Sequence, residues 1–419
     1  MFTSKVLTGL AALLALGSYI PGTLATALQI PEPILKDFDN TGVLGALYRP
    51  NATTPRSRVA VYVMHAEQDY TSFIGCTELQ KRGFTVFCAN IAASKYGYMS
   101  DISFEEMMTE VNTGLFWLRN LTEIDKVVIL GHSGGGNGVA ACNGPEKIYP
   151  CSDAMAGLEP GDGLMLLDAN YGISTMALLS LNPAVEDEAN LSKMNQSLNV
   201  YNPANGFSNG TQSNFTADFK QRYQKGAVSR NNRVLDYAQK RLAAIEAGNG
   251  TYGDDEPLTI PASLYVGFNN LYITQDSTII NSIRTPSNFD DISSSWESAA
   301  LKTSVRRYLS TLAVRASDNF SINTDGFQGI EYDSTQMAPF SSIKGVSVPL
   351  LTMGMTGHYE YLNAEKTHLQ AGAQHTINVC TDCESYPGEF GDTVATCFDY
   401  VGEWLGKTGR FIGARAMSE

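Results

Sequence analysis

Val127, Val128, Ile129 and Leu130 form a β-branched, apolar run that leads straight into Gly131-His132-Ser133-Gly134-Gly135-Gly136. A run this short and this uniformly apolar reads as a strand buried on both faces. The small-residue segment Val139-Ala140-Ala141-Cys142 that follows is suited to begin a helix. A serine on a tight strand-to-helix turn needs small neighbours, because the chain approaches itself there. Such a turn lifts Oγ above the sheet edge and aims the N–H groups of a helix N-terminus towards it. Two readings of Ser133 follow: an activated nucleophile, or a serine in a glycine-rich structural turn. The strand before, the helix after and three consecutive glycines favour the nucleophile.

The chain around this stretch is large enough to bury it. It has 419 residues, 43% of them hydrophobic, which suits one large α/β core with insertions. The net charge is −14 and no Lys/Arg run occurs, so nucleic acid and anionic membranes are poor expectations as partners. Lys5, the apolar stretch from Val6 to Leu16 and Ala25-Thr26-Ala27 read as a signal peptide over 1–27, with an uncleaved anchor as the alternative. No apolar stretch is long enough to span a bilayer. Export agrees with eight Asn-x-Ser/Thr acceptors, at Asn51, Asn120, Asn190, Asn195, Asn209, Asn214, Asn249 and Asn319, thickest between 190 and 250. In an oxidising compartment the short loops Cys76–Cys88 and Cys142–Cys151 are expected to be disulfides. Cys380-x-x-Cys383 is expected to form a further staple, leaving Cys397 free and buried.

Taken in order, Val59 to Met64 reads as a buried strand, followed by a helix near Thr71–Lys81 and a strand at Phe84–Cys88. Ser103 is placed to cap a helix whose Phe104, Met107, Met108, Val111, Leu115 and Leu118 keep the 3.6 period. The Ser133 strand comes next, then Gly163–Leu167, which ends at Asp168. Strand–helix–strand–helix–strand is the pattern of a doubly wound, mostly parallel sheet. Between 172 and 335 the composition turns to Asn, Ser and Thr, and helical patterns are expected over 215–245 and 296–316. This region is expected to be a helical cap over the sheet's C-terminal edge, where ligands bind in open α/β sheets. The core then comprises 28–171 and 336–419, resuming with a strand at 346–353 and closing with a helix at 394–405.

These residues carry a resemblance. The elbow at Gly131–Gly136, the later Gly357-His358-Tyr359-Glu360-Tyr361 and the turn Gly372-Ala373-Gln374-His375 resemble the motifs of secreted fungal and bacterial α/β-hydrolases. Leu167-Asp168-Ala169 and the segment 182–188 are similar as well, so the likeness runs from about 59 to 411. It implies the α/β-hydrolase fold and a Ser-His-acid triad. The hydroxyl of Ser133 needs a base to become a nucleophile. His375 is the expected base, because it comes latest in the order nucleophile, acid, base. His358 is the alternative, and His132 reads as packing. The acid is open between Glu360, Asp168 and Glu365. Backbone N–H groups of Gly134 and of the His65–Ala66 turn are expected to hold the oxyanion, with the His65 side chain dispensable. His358 and His375 lie only 17 positions apart, which leaves little room for a helix and a strand between them.

The sequence has no metal-ligand spacing, dinucleotide fingerprint or P-loop, so no metal or cofactor is expected. The expected activity is that of a secreted serine hydrolase on a carboxylic ester or related acyl compound. The aromatic content of the insertion points to a partly apolar small molecule. The alternative is a protein that kept the fold and uses its pocket for binding or for a non-hydrolytic rearrangement, isomerase- or cyclase-like.

Overall fold

The computed structural model describes residues 31–95, 101, 103–138, 147–190, 193–208, 214–263, 300–323, 326–355, 361–371, 376–380 and 393–413. Its central element is an eight-stranded sheet. In chain order the first strands and helices are β1 (Ile34–Asp37), β2 (Leu44–Tyr48), β3 (Val59–His65), α1 (Ile74–Lys81), β4 (Thr85–Asn90), α2 (Phe104–Arg119), β5 (Lys126–His132) and β6 (Gly163–Leu167). The insertion supplies α3 (Ile173–Ser180), α4 (Ala217–Glu246), β7 (Pro257–Ile260), β8 (Leu301–Ser304), β9 (Arg315–Asn323) and β10 (Gly326–Glu331). The chain returns through β11 (Leu350–Met355), α5 (Tyr361–Ala371), β12 (Thr376–Cys380) and α6 (Thr393–Gly406).

The large sheet runs β1-β2-β4-β3-β5-β6-β11-β12. β1 and β2 form an antiparallel hairpin, β2 meets β4 antiparallel, and every other neighbour is parallel. All seven residues of β3 are buried, as a strand covered on both faces requires. Its side chains alternate between two cores. Val59, Val61 and Val63 pack with Leu79 of α1 and with Phe398, Val401 and Leu405 of α6. Ala60, Tyr62 and Met64 pack with Phe104, Met107, Val111, Leu115 and Leu118 of α2. α2 begins where Ser103 Oγ accepts from the Glu106 N–H at 3.4 Å, with Glu105 and Glu106 favourably placed in its first turn.

Cys76 and Cys88 are disulfide-bonded, with a Cα separation of 6.3 Å that ties α1 to β4. Cys151 is also disulfide-bonded, while its expected partner Cys142 lies outside the described residues, as do Cys383 and the side chain of Cys380. Cys397 is a free, half-buried thiol on α6. Burial pushes its pKa up to about 11, with Arg82 pulling it down and Asp168 pushing it up, so it stays protonated.

The insertion differs from its expected form. α4 forms over 217–246, capped by Thr216 Oγ1, which accepts from the Phe219 N–H at 3.2 Å. The stretch 296–316 is not a helix in its described part. Leu301–Ser304 pairs antiparallel with β7, a short helical segment covers 305–312, and the chain then enters β9, which pairs with β10. Leu301, Val305, Tyr308, Leu309 and Leu312 are spaced like one face of a helix, and all are buried. Strand pairing at 301–304 and the short helical segment, α over 305–307 and π over 308–312, bury the same residues, so tertiary context overrides the period.

One charged side chain holds several parts of the insertion together. Arg230 of α4 is 1% exposed. Its Nε and Nη2 donate to the Glu188 carboxylate at 2.9 and 2.6 Å, and Nη1 and Nη2 donate to the carbonyls of Asn182 and Pro261 at 2.9 and 2.6 Å. Among the described residues, no helix is long and apolar enough to cross a membrane.

Candidate active site

The elbow is built where β5 ends against the end of β3. Ser133 follows β5 directly with φ 50°, a left-handed conformation that a non-glycine residue adopts only when its surroundings impose it. Those surroundings are tight. A Cβ at Gly135 would stand 2.4 Å from the Met64 carbonyl oxygen, and one at Gly134 would stand 2.6 Å from Cε1 of His65. Position 135 therefore requires glycine, whereas a side chain at 134 would have to displace the buried His65 ring. Residues 133–138 form a 3-10 turn; the expected helix at 139–142 lies outside the described residues.

The neighbouring strand tips are braced to this turn. Asp168 leaves β6 with φ 47° and is buried, and its N–H donates to the Met353 carbonyl of β11 at 2.6 Å. The Asn170 N–H donates to the Ser133 carbonyl at 3.0 Å. Asn363 of α5, also buried, donates through Nδ2 to the carbonyls of Ala169 and Asn170 at 2.7 and 2.9 Å. The two strained residues thus sit at the tips of adjacent strands, their backbones held by β11 and α5.

A positive-φ serine at the tip of β5 closes a sheet whose inner order is β4-β3-β5-β6, with an antiparallel β2 outside it. This is the α/β-hydrolase fold. No family model matches the sequence, and no curated protein matches it either. Solved structures with distant similarity include Est1E from Butyrivibrio proteoclasticus, at 10% identity and TM-score 0.39, covering 90% of this chain and 100% of that one. Siderophore hydrolase EstB from Aspergillus fumigatus aligns at 10% identity and TM-score 0.41, over 90% of this chain and 98% of that one. A highly thermostable carboxyl esterase from Bacillus coagulans aligns at 12% identity and TM-score 0.39, over 91% and 99%. At this distance the α/β-hydrolase assignment rests on the chain's own strand order and elbow.

The side chain of His65, at the end of β3, makes contacts that the sequence did not signal. Its ring is 2% exposed. The Gly134 N–H lies 3.0 Å from Nε2 and points at it, and the Glu67 N–H does the same to Nδ1 at 3.0 Å. Burial, then the nearby His132, hold its pKa down to about 3, so the ring is neutral. Tyr70 stacks on it at 4.7 Å between ring centres and reaches His132 Nδ1 with its hydroxyl at 2.5 Å. The side chain expected to be dispensable is therefore packed against the elbow, and its partner Gly134 is 69 residues away in sequence. The backbone of Ala66, the other expected oxyanion donor, follows directly in the same buried turn.

The remaining expected residues fall unevenly. His375, His358 and Glu360 lie outside the described residues. Glu365 is exposed on α5. Thr376, which follows His375, begins β12 and pairs with Leu351. Leu351 pairs with Met165, and Met165 with Leu130. Leu130 stands three residues short of Ser133, about 10 Å down the strand, and β12 lies three strands across, about 14 Å at the usual spacing. The last strand thus follows His375 instead of preceding it, because the 11 residues of α5 take up most of the space after the Gly-His-Tyr segment. Among the described residues, no group of His, Cys, Asp or Glu is arranged to hold a metal.

Proposed function

We propose that this protein is a secreted serine hydrolase that cleaves a carboxylic ester, or a related acyl bond, of a partly apolar small molecule. The observation that carries the reading is the strained backbone of Ser133 at the tip of β5, followed by Gly134 against the His65 ring and Gly135 against the Met64 carbonyl. Ser133 attacks the acyl carbon, and a histidine takes its proton and returns it to the leaving group. Strand polarity favours His358 over His375 as that base. His358 follows the C-terminal end of β11 by three residues, on the side where β5 and β6 also end, whereas His375 precedes the N-terminal end of β12. Asp168, at the tip of β6, is the favoured acid, and Glu360 is the alternative. Ser133, Asp168 and His358 would then leave three adjacent strands in the order nucleophile, acid, base.

Export is supported by the exposure of the acceptor residues Asn51, Asn120, Asn190, Asn214, Asn249 and Asn319. The insertion at 172–335 serves as the cap that shapes the acyl pocket. One observation favours a second reading, in which the pocket binds without acyl transfer: the Gly134 N–H, the natural oxyanion donor, is already directed at His65. A fluorophosphonate probe decides between the two. The hydrolase reading expects covalent labelling of Ser133, located by peptide mass spectrometry and lost in Ser133→Ala. Wild-type protein that stays unlabelled and turns over no ester in a panel of acyl lengths would establish the binding reading instead.

A further inference from the structure

The last turn of α2 sets an outward-facing aromatic ring beside an outward-facing amide. Phe116 is 55% exposed, although Leu115 and Leu118 on the same turn are buried in the core. Its neighbour Trp117 faces inward, with its ring centre 5.5 Å from that of Phe38 and 4.9 Å from that of Phe87. Asn120 follows as the C-cap with φ −88° and ψ 0°, so it continues the helical path for one more residue. Residues four apart on such a path lie one above the other on the same face. Asn120 is exposed there as well.

The amide turns back along the helix. Asn120 Nδ2 donates to the Phe116 carbonyl at 2.8 Å. Helical side chains lean towards the N-terminus, so a group attached to this nitrogen projects over residue 116. The side-chain amide has two hydrogens. One serves the Phe116 carbonyl, and the other can be replaced. Asn120-Leu121-Thr122 is also an acceptor triplet, and Thr122 is exposed. A pyranose ring presents a face of weakly positive C–H groups, and the face of an aromatic ring is negative. The two are complementary in shape and in charge.

We propose that Asn120 is an N-glycosylation site whose first sugar lies on the ring of Phe116. The inference rests on the reading of the protein as secreted. It goes further by choosing one acceptor and naming the surface that its sugar covers. The donor is an oligosaccharide joined through its anomeric carbon to a lipid pyrophosphate. Nδ2 bonds to that carbon while the bond from the carbon to the phosphate oxygen breaks. The lipid pyrophosphate leaves with the electron pair, and Nδ2 gives up one proton. The remaining N–H keeps the Phe116 carbonyl as its acceptor, so the first sugar starts from a nitrogen already held against residue 116. Stacking then takes part of the ring out of water, which stabilises the folded chain.

The test uses the full chain secreted from a eukaryotic host and trimmed with endoglycosidase H, which leaves one N-acetylglucosamine at each occupied acceptor. Glycopeptide mass spectrometry reads the occupancy of Asn120. Occupancy is expected, and a bare Asn120 beside occupied acceptors elsewhere overturns the proposal. Thr122→Ala removes the acceptor triplet but keeps the Asn120 amide and its hydrogen bond. Calorimetry then compares wild type, Thr122→Ala, Phe116→Ala and the double variant. Thr122→Ala is expected to lower Tm by roughly 1–3 °C when Phe116 is present, and by less than about half as much in the Phe116→Ala background. Thr122→Ser, which keeps the triplet, should match the wild type. No drop, an equal drop in both backgrounds, or a Thr122→Ser variant as unstable as Thr122→Ala overturns the stacking. If the wild type carries sugar at none of its acceptors, the reading as a secreted protein falls, and this inference with it.

Discussion

At the scale of single residues, the site is a set of groups held where they would not sit by preference. Ser133 and Asp168 each carry a positive φ, which costs on the order of 1–3 kcal/mol per residue and must be offset by the packing around them. His65 has a cost of a different kind, since its ordinary pKa of 6.5 is lowered to about 3 by burial and by His132. The unfolded chain takes up a proton at pH values where the folded ring refuses it. Stability from this residue is therefore complete above pH 6.5 and is lost progressively as pH falls towards 3. The ring stacks on Tyr70, takes contacts from the N–H groups of Glu67 and Gly134, and lies near His132, which adds to the lowering of its pKa. We expect His65→Gln to flatten the fall in unfolding free energy between pH 6.5 and pH 4, measured by urea titration at several pH values. A variant as acid-sensitive as the wild type would place the sensitivity elsewhere. Ser133 is legible in sequence because its strand, turn and glycines are contiguous. His65, Asn170 and Asn363 are not, because each acts on a residue brought close only by the fold.

At the scale of elements, the buried cation Arg230 ties together described parts of the insertion. Arg230 joins α4 to the segment at 182–188 and to the residues after β7, and Glu188 neutralises it while also reaching Arg233 at 3.1 Å. The two partners are not equally placed: the Arg230 side chain is 1% exposed and that of Glu188 is 28% exposed. Removing the carboxylate strands a guanidinium that water cannot reach, and breaking a buried pair in this way costs about 3–5 kcal/mol. We therefore expect Glu188→Ala to lose stability by that amount in urea unfolding, with the core sheet and Ser133 labelling retained at low denaturant. A loss below about 1 kcal/mol would mean that the carbonyls of Asn182 and Pro261 suffice to hold the charge. The same region marks the limit of reading elements from periodicity. α4 is long and continuous, so its stripe was decisive, whereas Leu301 to Leu312 satisfied the helical template while β7 took its first residues into a strand.

At the scale of the whole molecule, the parallel sheet decides which chain ends can meet. The strands β3, β5 and β6 were legible as uninterrupted apolar runs, and their order followed from alternation with helices. The position of β12 was not, because five residues of mixed character carry little signal, and the 17 positions between His358 and His375 showed only that a strand there was cramped. β12 runs parallel to β11 and its first residue, Thr376, pairs with Leu351 near the start of β11, at the edge opposite Ser133. We expect His358→Ala to lower kcat on p-nitrophenyl esters by about 10⁴ or more, as removal of a triad member does. Ser133→Ala combined with it should be hardly worse than either alone, as is expected of a nucleophile and its base. His375→Ala should leave kcat within a few-fold of wild type. Asp168→Asn should cost orders of magnitude in kcat with Ser133 still folded in place, because the imidazole loses the carboxylate that fixes its tautomer. Glu360→Gln should not. If instead His375→Ala is the inactive variant and His358→Ala is active, the base reaches Ser133 from beyond the N-terminal end of β12, and the assignment by strand polarity is wrong. If Glu360→Gln fails and Asp168→Asn turns over normally, the acid follows β11, and the strain at Asp168 serves only to turn the chain towards α3.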